Sequence, residues 1–249
     1  MAGIIRRTLT LLAFLAAGVG AVHGEEPLKI LYNERQPYMA ARGQEVTGLT
    51  ADAAVYALRK AGVPYQWVEI PSARQLFMLQ ENKEPLAALG WYRNPERERF
   101  AKFSNHLYRD RQIAVLARVD NAKVAAAASV ADLLGDRRIT LLAKAGYSYG
   151  RFLDEWIAKL EPKVMRVTVE NLSMIRMIGA RRADYMFIAP EEAEATLAQS
   201  GVPPRDLRLI TLPDMPPGEY RYLMFSQRVD DETIRRISHY LDEYHLLQK

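Results

Sequence analysis

Hydrophobic and polar positions change rhythm repeatedly along the chain. Short apolar runs at Lys29 to Tyr32 (KILY), Tyr65 to Ile70 (YQWVEI), Leu86 to Trp91 and Gln112 to Arg118 (QIAVLAR) have the length and composition of strands. Between them lie segments with helical spacing. Val46 to Leu49 leads into an amphipathic helix over residues 51–61, with Gly62 as its stop, and Ser72 is placed to cap a helix over residues 73–79. Strand and helix in alternation predict an α/β unit with a largely parallel sheet.

A second series of the same kind follows. Ser129 precedes a short helix closed by Gly135, Arg138 to Leu142 (RITLL) reads as a strand, and Ser148 as the cap of a helix over residues 149–160. Val164 to Val169 is a strand, Leu172 to Ile178 a helix, and Tyr185 to Ile188 (YMFI) a buried strand. The segment LPDMPPGEY, Leu212 to Tyr220, is a connection rich in Pro and Gly. A strand at Arg221 to Phe225 and a helix over residues 231–247 end the pattern. The two series predict a two-lobed α/β protein, each lobe a mixed sheet flanked by helices. Residues 25–117 with 218–249 form the first lobe and residues 121–212 the second. Two hinge crossings, near Arg118 to Ala122 and near Leu212 to Gly218, leave a cleft between the lobes as the natural ligand site.

The first 24 residues change the picture of where the protein works. Arg6 and Arg7 precede an apolar stretch, Thr8 to Val22, too short for a comfortable membrane span. Small residues at Val22 and Gly24 suit cleavage before Glu25. The expectation is a signal peptide and a periplasmic protein; the rival reading of the same stretch is an uncleaved anchor. Loss of the leader removes two arginines and no acid, so the formal charge falls from +4 to +2. That is too near neutral to indicate nucleic acid. The chain has no Cys, which excludes disulfides, thiolate metal sites and a Cys nucleophile. Its four His residues are scattered, and no phosphate loop, dinucleotide fingerprint or nucleophile elbow occurs. No cofactor and no metal are expected. Periodicity and spacing alone reach an exported two-lobed α/β protein and stop there.

One stretch says more. Gly90 to Ser104, GWYRNPERERFAKFS, runs from two aromatics through a charge cluster to Phe-Ser. Gly90, the Asn94-Pro95-Glu96-Arg97 block, Phe103-Ser104 and Tyr108 resemble the pattern G-M-T-x-T-x-E-R-x5-F-S-x-P-Y of family 3 periplasmic solute-binding proteins. Val46 to Gly62, Val130 to Gly150 and Gly179 to Ile188 resemble three further segments of that family, in the same order. The resemblance implies a receptor that closes on a small ligand and hands it to an ABC permease.

It also implies roles. Arg97 matches the arginine that pairs with the ligand's carboxylate, a task a planar guanidinium performs in two parallel bonds and Lys does not. Read from its neighbours alone, Arg97 is a surface residue in an alternating charge run. Gly146, Tyr147 and Ser148 match a Gly-Thr-Thr segment whose amides and hydroxyl meet the same carboxylate at a helix N-terminus; Ser148 also reads as an ordinary cap. Tyr38 matches an aromatic at the cleft mouth, with core packing as the alternative, and Glu34 and Arg74 are spare candidates nearby. The ammonium side departs from the family. Tyr92 and Asn94 replace two Thr, Thr50 replaces an Asp, and the position of the expected lobe-2 carboxylate is Ala189, with Glu191 close by as a substitute or as the start of a solvated helix.

The reading is therefore a non-enzymatic, monomeric receptor for a small carboxylate-bearing metabolite, an amino acid or a relative of one. Arg97, Tyr92, Asn94, Gly146, Tyr147, Ser148, Tyr38 and Glu191 are its candidate ligand-binding residues, and an inner-membrane permease is its partner. Two alternatives remain open: a cyclohexadienyl dehydratase-like enzyme, with Glu191 or Glu34 as the acid, and a sensory protein that presents ligand occupancy to a membrane receptor.

Overall fold

The computed structural model describes residues 26–248; the predicted leader lies outside them. In chain order the first half comprises β1 (Leu28–Tyr32), a hairpin of β2 (Ala40–Arg42) and β3 (Glu45–Thr47), α1 (Ala51–Lys60), β4 (Tyr65–Glu69), α2 (Ser72–Glu81), β5 (Leu86–Tyr92), the single turn α3 (Pro95–Glu98) and β6 (Ala101–Arg109). The second half comprises β7 (Ala114–Arg118), α4 (Ala122–Ala125), α5 (Val130–Gly135), β8 (Leu141–Lys144), α6 (Arg151–Leu160), β9 (Val164–Val167), α7 (Asn171–Gly179), β10 (Tyr185–Ile188), α8 (Pro190–Ser200), β11 (Leu207–Ile210), β12 (Tyr220–Ser226) and α9 (Asp231–Leu247).

Two five-stranded sheets result, in the orders β4-β1-β5-β12-β6 and β11-β7-β10-β8-β9. In the first, β1 runs parallel to β4 and β5, while β12 is antiparallel to β5 and β6. In the second, β8 is parallel to β9 and β10, and β7 is antiparallel to β10 and β11. β5 is buried at every residue because it is central and both faces of its sheet are covered. Ala87 and Leu89 pack with Ala53, Ala57 and Leu58 of α1 and with Ile237 and Leu241 of α9; Leu86, Ala88 and Trp91 face Leu79 of α2. The run of small residues on α1 lets α9 lie close against it. In the second sheet Met186 and Ile188 of β10 bury against Met174, Ile175 and Ile178 of α7, and Tyr185 and Phe187 face the opposite side.

The strand expected to end the first lobe belongs to the second sheet: β7 pairs with β10 and β11. The first crossing is therefore at residues 110–113, not near Arg118 to Ala122. The return crossing spans residues 211–219, close to where the Pro-rich segment placed it. The two crossings touch. The Asp110 amide donates to the Glu219 carbonyl at 2.9 Å, and a Cβ on Gly218 would stand 1.8 Å from the Asp110 carbonyl oxygen. Only glycine permits that approach.

β6 and β11 are not legible as strands in the sequence. Both are sheet edges, and β6 carries polar residues along much of its length. Ser72 begins α2 without capping it, Pro71 taking that position. Ser129 does cap α5, accepting from the Asp132 amide at 3.0 Å.

Candidate functional site

A cavity of about 40 Å³ lies between the two sheets, room for roughly three water molecules. One wall is the end of β5 (Gly90, Trp91, Tyr92), the loop after β1 (Asn33, Arg35, Met39), Arg97 of α3 and Arg221 of β12. The other is the loop after β8 (Tyr147, Ser148, Tyr149), the end of β10 (Ile188, Ala189) and Asn171 of α7. Both walls gather at the carboxyl ends of parallel strands, where open α/β sheets place their ligands.

Arg97 is held there by its local sequence. Asn94 caps α3 by accepting from the Arg97 amide at 2.9 Å, with Pro95 at the first helical position. This turn directs the side chain inward, where it is only 5 % exposed. Nη1 donates to the Tyr92 carbonyl at 2.7 Å, Nη2 to the Gly146 carbonyl across the cleft at 3.3 Å, and the guanidinium lies 4.7 Å from the Trp91 ring centroid. Among the described residues no carboxylate comes within ion-pair distance of it, which leaves Nε and two further N–H groups for another acceptor. Burial pulls its pKa below the ordinary arginine value, against the milder pull of Asp154 and Glu96.

Two further guanidiniums line the cavity, and both are neutralised. Arg221, fully buried, forms a fork with Asp110 through Nε at 2.7 Å and Nη2 at 2.8 Å; it also donates to the Gly90 carbonyl and the Tyr92 hydroxyl. Tyr92 in turn donates to Asp110, and burial pushes its phenol up, keeping the proton in place. Arg35 forms a second fork, to Glu192 of α8, with both bonds at 2.7 Å. Its guanidinium sits 5.0 Å from the Tyr147 ring centroid and 5.4 Å from that of Tyr38. This pair ties the first sheet's loop to the second sheet's helix. Burial alone would raise the Glu192 carboxyl, but Arg35 outweighs it and holds the pKa below the usual range. Lys144, behind Tyr147, pairs with Glu170 at 2.5 Å.

Residues 28–243 match the family model of bacterial extracellular solute-binding proteins, family 3. The chain belongs to that family. Solved structures agree on the fold. An ancestral arginine-binding protein bound to arginine superposes with TM-score 0.68 at 16 % identity, over 88 % of this chain and 92 % of that one. A structure from work on glutathione import through GshT and the cystine ABC importer TcyBC of Streptococcus mutans gives TM-score 0.72 at 15 % identity, over 90 % of each chain. The amino acid ABC transporter substrate-binding protein AbpA of Streptococcus pneumoniae, bound to L-arginine, gives 0.68 at 14 %, over 89 % of this chain and 90 % of that one. Comparison with curated proteins gives no match.

In this family 3 chain the candidate residues separate into two groups. Arg97, Tyr92, Tyr147 and Ser148 line the cavity, and Gly146 borders it through its carbonyl. Asn94 positions Arg97 and is not on the wall. Tyr38 is fully buried beneath the wall, with the Arg221 guanidinium 3.8 Å from its ring centroid. Glu191 is turned to the crossing, accepting from the Arg111 amide and guanidinium and from Tyr108. It is buried, not part of a solvated helix face. Glu34 accepts from the Ala41 amide at 2.8 Å, and neither it nor any other carboxylate lines the cavity among the described residues.

Ser148 does not cap α6, which starts at Arg151 behind Gly150. Its hydroxyl meets Asp154 and accepts from the Gly150 amide. The amides of Tyr147 and Tyr149 are engaged by the Lys144 carbonyl and Asp154. This segment is thus a tight loop with part of its donor set already in use, not an open helix N-terminus. Arg35, Glu192, Arg221 and Asp110 escape a reading of the sequence. Arg35, Asp110 and Glu192 each stand one or two residues from a residue that the sequence singles out, Arg221 has no such neighbour, and only the fold shows which of them face the cleft.

Proposed function

We propose that this chain is the ligand-capturing component of an ABC importer, exported to the periplasm and monomeric, taking a small carboxylate-bearing metabolite between its two sheets. The observation that carries this reading is Arg97: a buried guanidinium on the wall of the cleft, oriented by its own helix cap, with N–H groups to spare and no counter-ion among the described residues. A carboxylate docking in two parallel bonds gains about 1.5–3 kcal/mol for each charge-assisted bond. It also relieves the cost of a buried unpaired cation.

A cavity of this size admits such a ligand only if the sheets first separate about the crossings at residues 110–113 and 211–219, a hinge motion. Closure then brings Tyr147 and Ser148 against the ligand held by Arg97, and the two lobes together form the surface offered to the permease. No bond changes in the ligand.

The test is a thermal-shift screen of residues 25–249 against amino acids, hydroxy and keto acids, dicarboxylates and polyamines, beside Arg97→Ala. A ligand that binds only the folded protein raises the midpoint by mass action. The expected result is a carboxylate hit that Arg97→Ala weakens about 100-fold or more. A hit indifferent to Arg97→Ala, or confined to polyamines, would overturn the assignment.

A further inference from the structure

We infer that the cleft selects carboxylates that carry no ammonium group, and so binds the deaminated, hydroxy or keto form of a carbon skeleton in preference to its α-amino acid. This rests on the reading of Arg97 as the carboxylate anchor. The argument comes from the charges around the cavity. Three cations line it, Arg35, Arg97 and Arg221, and Lys144 stands behind Tyr147. Three carboxylates accompany them, and each already has its partner, Glu192 with Arg35, Asp110 with Arg221 and Glu170 with Lys144.

A ligand carboxylate on Arg97 completes this set. An ammonium on the same ligand would sit among three guanidiniums, with no carboxylate on the cavity wall among the described residues to receive it. The next acid, Asp154, is bound by the Ser148 hydroxyl and the Tyr149 amide. The polar side chains on the wall are also engaged: Asn171 hydrogen-bonds Glu192 and Ser148 holds Asp154. The Asn33 side-chain carbonyl accepts from Gln75 at 3.4 Å, Tyr147 accepts from Arg35 at 3.4 Å, and Ala189 contributes no polar side chain. Leaving one buried charge unpaired is far more costly than pairing both or carrying none.

The experiment is calorimetric titration of residues 25–249 with matched pairs: lactate against alanine, 2-oxoglutarate against glutamate, phenyllactate against phenylalanine, and 2-hydroxyisocaproate against leucine. At least one non-amino member is expected to bind at least about 100-fold more tightly than its amino acid. Ala189→Asp places a carboxylate on the wall at the N-cap of α8 (Ala189 has extended backbone there), a position that favours Asp. It is expected to narrow that ratio by tenfold or more. An amino acid that binds as tightly as its partner, and through Arg97, overturns the selectivity and leaves the carboxylate receptor standing. Binding of neither member of any pair overturns both.

Discussion

The Arg35–Glu192 pair gives the sharpest mechanical prediction, and Glu192→Gln is the perturbation. Both bonds of the fork are 2.7 Å, and the two side chains are 15 % and 1 % exposed. Removing one partner of such a pair leaves a buried cation uncompensated, at about 3–5 kcal/mol. That cost falls on the arrangement in which the sheets are together. Once they separate, Arg35 and the neutral amide opposite it are both free to hydrate. Taking the low end, about 3 kcal/mol, the closed arrangement loses roughly 100-fold against the open one. Ligand affinity falls with it, because the fraction competent to hold the ligand falls. Small-angle scattering should show a larger radius of gyration for Glu192→Gln than for the parent, while the urea midpoint moves little. An unchanged radius with a midpoint lowered by the full cost would show that the pair acts as ordinary local glue and not as a latch between the sheets.

Other outcomes follow from the same geometry. Asp110→Asn leaves the fully buried Arg221 without its counter-ion and should lower unfolding stability by about 3–5 kcal/mol in urea titration; Tyr92 also loses its acceptor. Gly218→Ala pushes a methyl group into the backbone of the neighbouring crossing and should cost at least about 2 kcal/mol by the same measurement. His106 stacks on His245 with ring centroids 4.3 Å apart, beside Tyr220 and near Asp242. Burial, then His245, holds its pKa below the ordinary value. The neutral ring therefore supports the fold above the unfolded pKa, near 6.5, and that support is lost as pH falls through the folded value. Urea midpoints should drop from pH 7 to pH 5, and less so in His106→Gln. Mass spectrometry of the exported protein should give a chain beginning at Glu25.

Much of the fold can be read from the chain because its central strands are apolar runs. YMFI at β10 and the apolar stretch of β5 are buried on both faces, and the helices between them keep a clear polar side. The edge strands β6 and β11 are less plain: β6 carries polar residues along much of its length, and β11 is only four residues long. The misplaced crossing comes from β7. Its composition marks it as a strand, but nothing in QIAVLAR says which of two sheets it joins. The motif around Arg97 singles it out, and the structure places it, capped by Asn94, on the cavity wall and not on an exposed charge run. Glu191 against Glu192 shows the limit. Adjacent identical residues on a helix start face about 100° apart, and only the packed structure shows that one holds Arg111 and the other Arg35.

The proposed function stands or falls with Arg97 as the anion anchor of an interlobe site. The most direct test is a crystal structure of residues 25–249 with the tightest carboxylate from the matched-pair titrations. That carboxylate is expected on the Arg97 guanidinium in two parallel bonds of about 2.8 Å, with Trp91 beneath and Tyr147 and Ser148 closing from the second sheet. A ligand seated elsewhere, with Arg97 still bound only to the carbonyls of Tyr92 and Gly146, would contradict it.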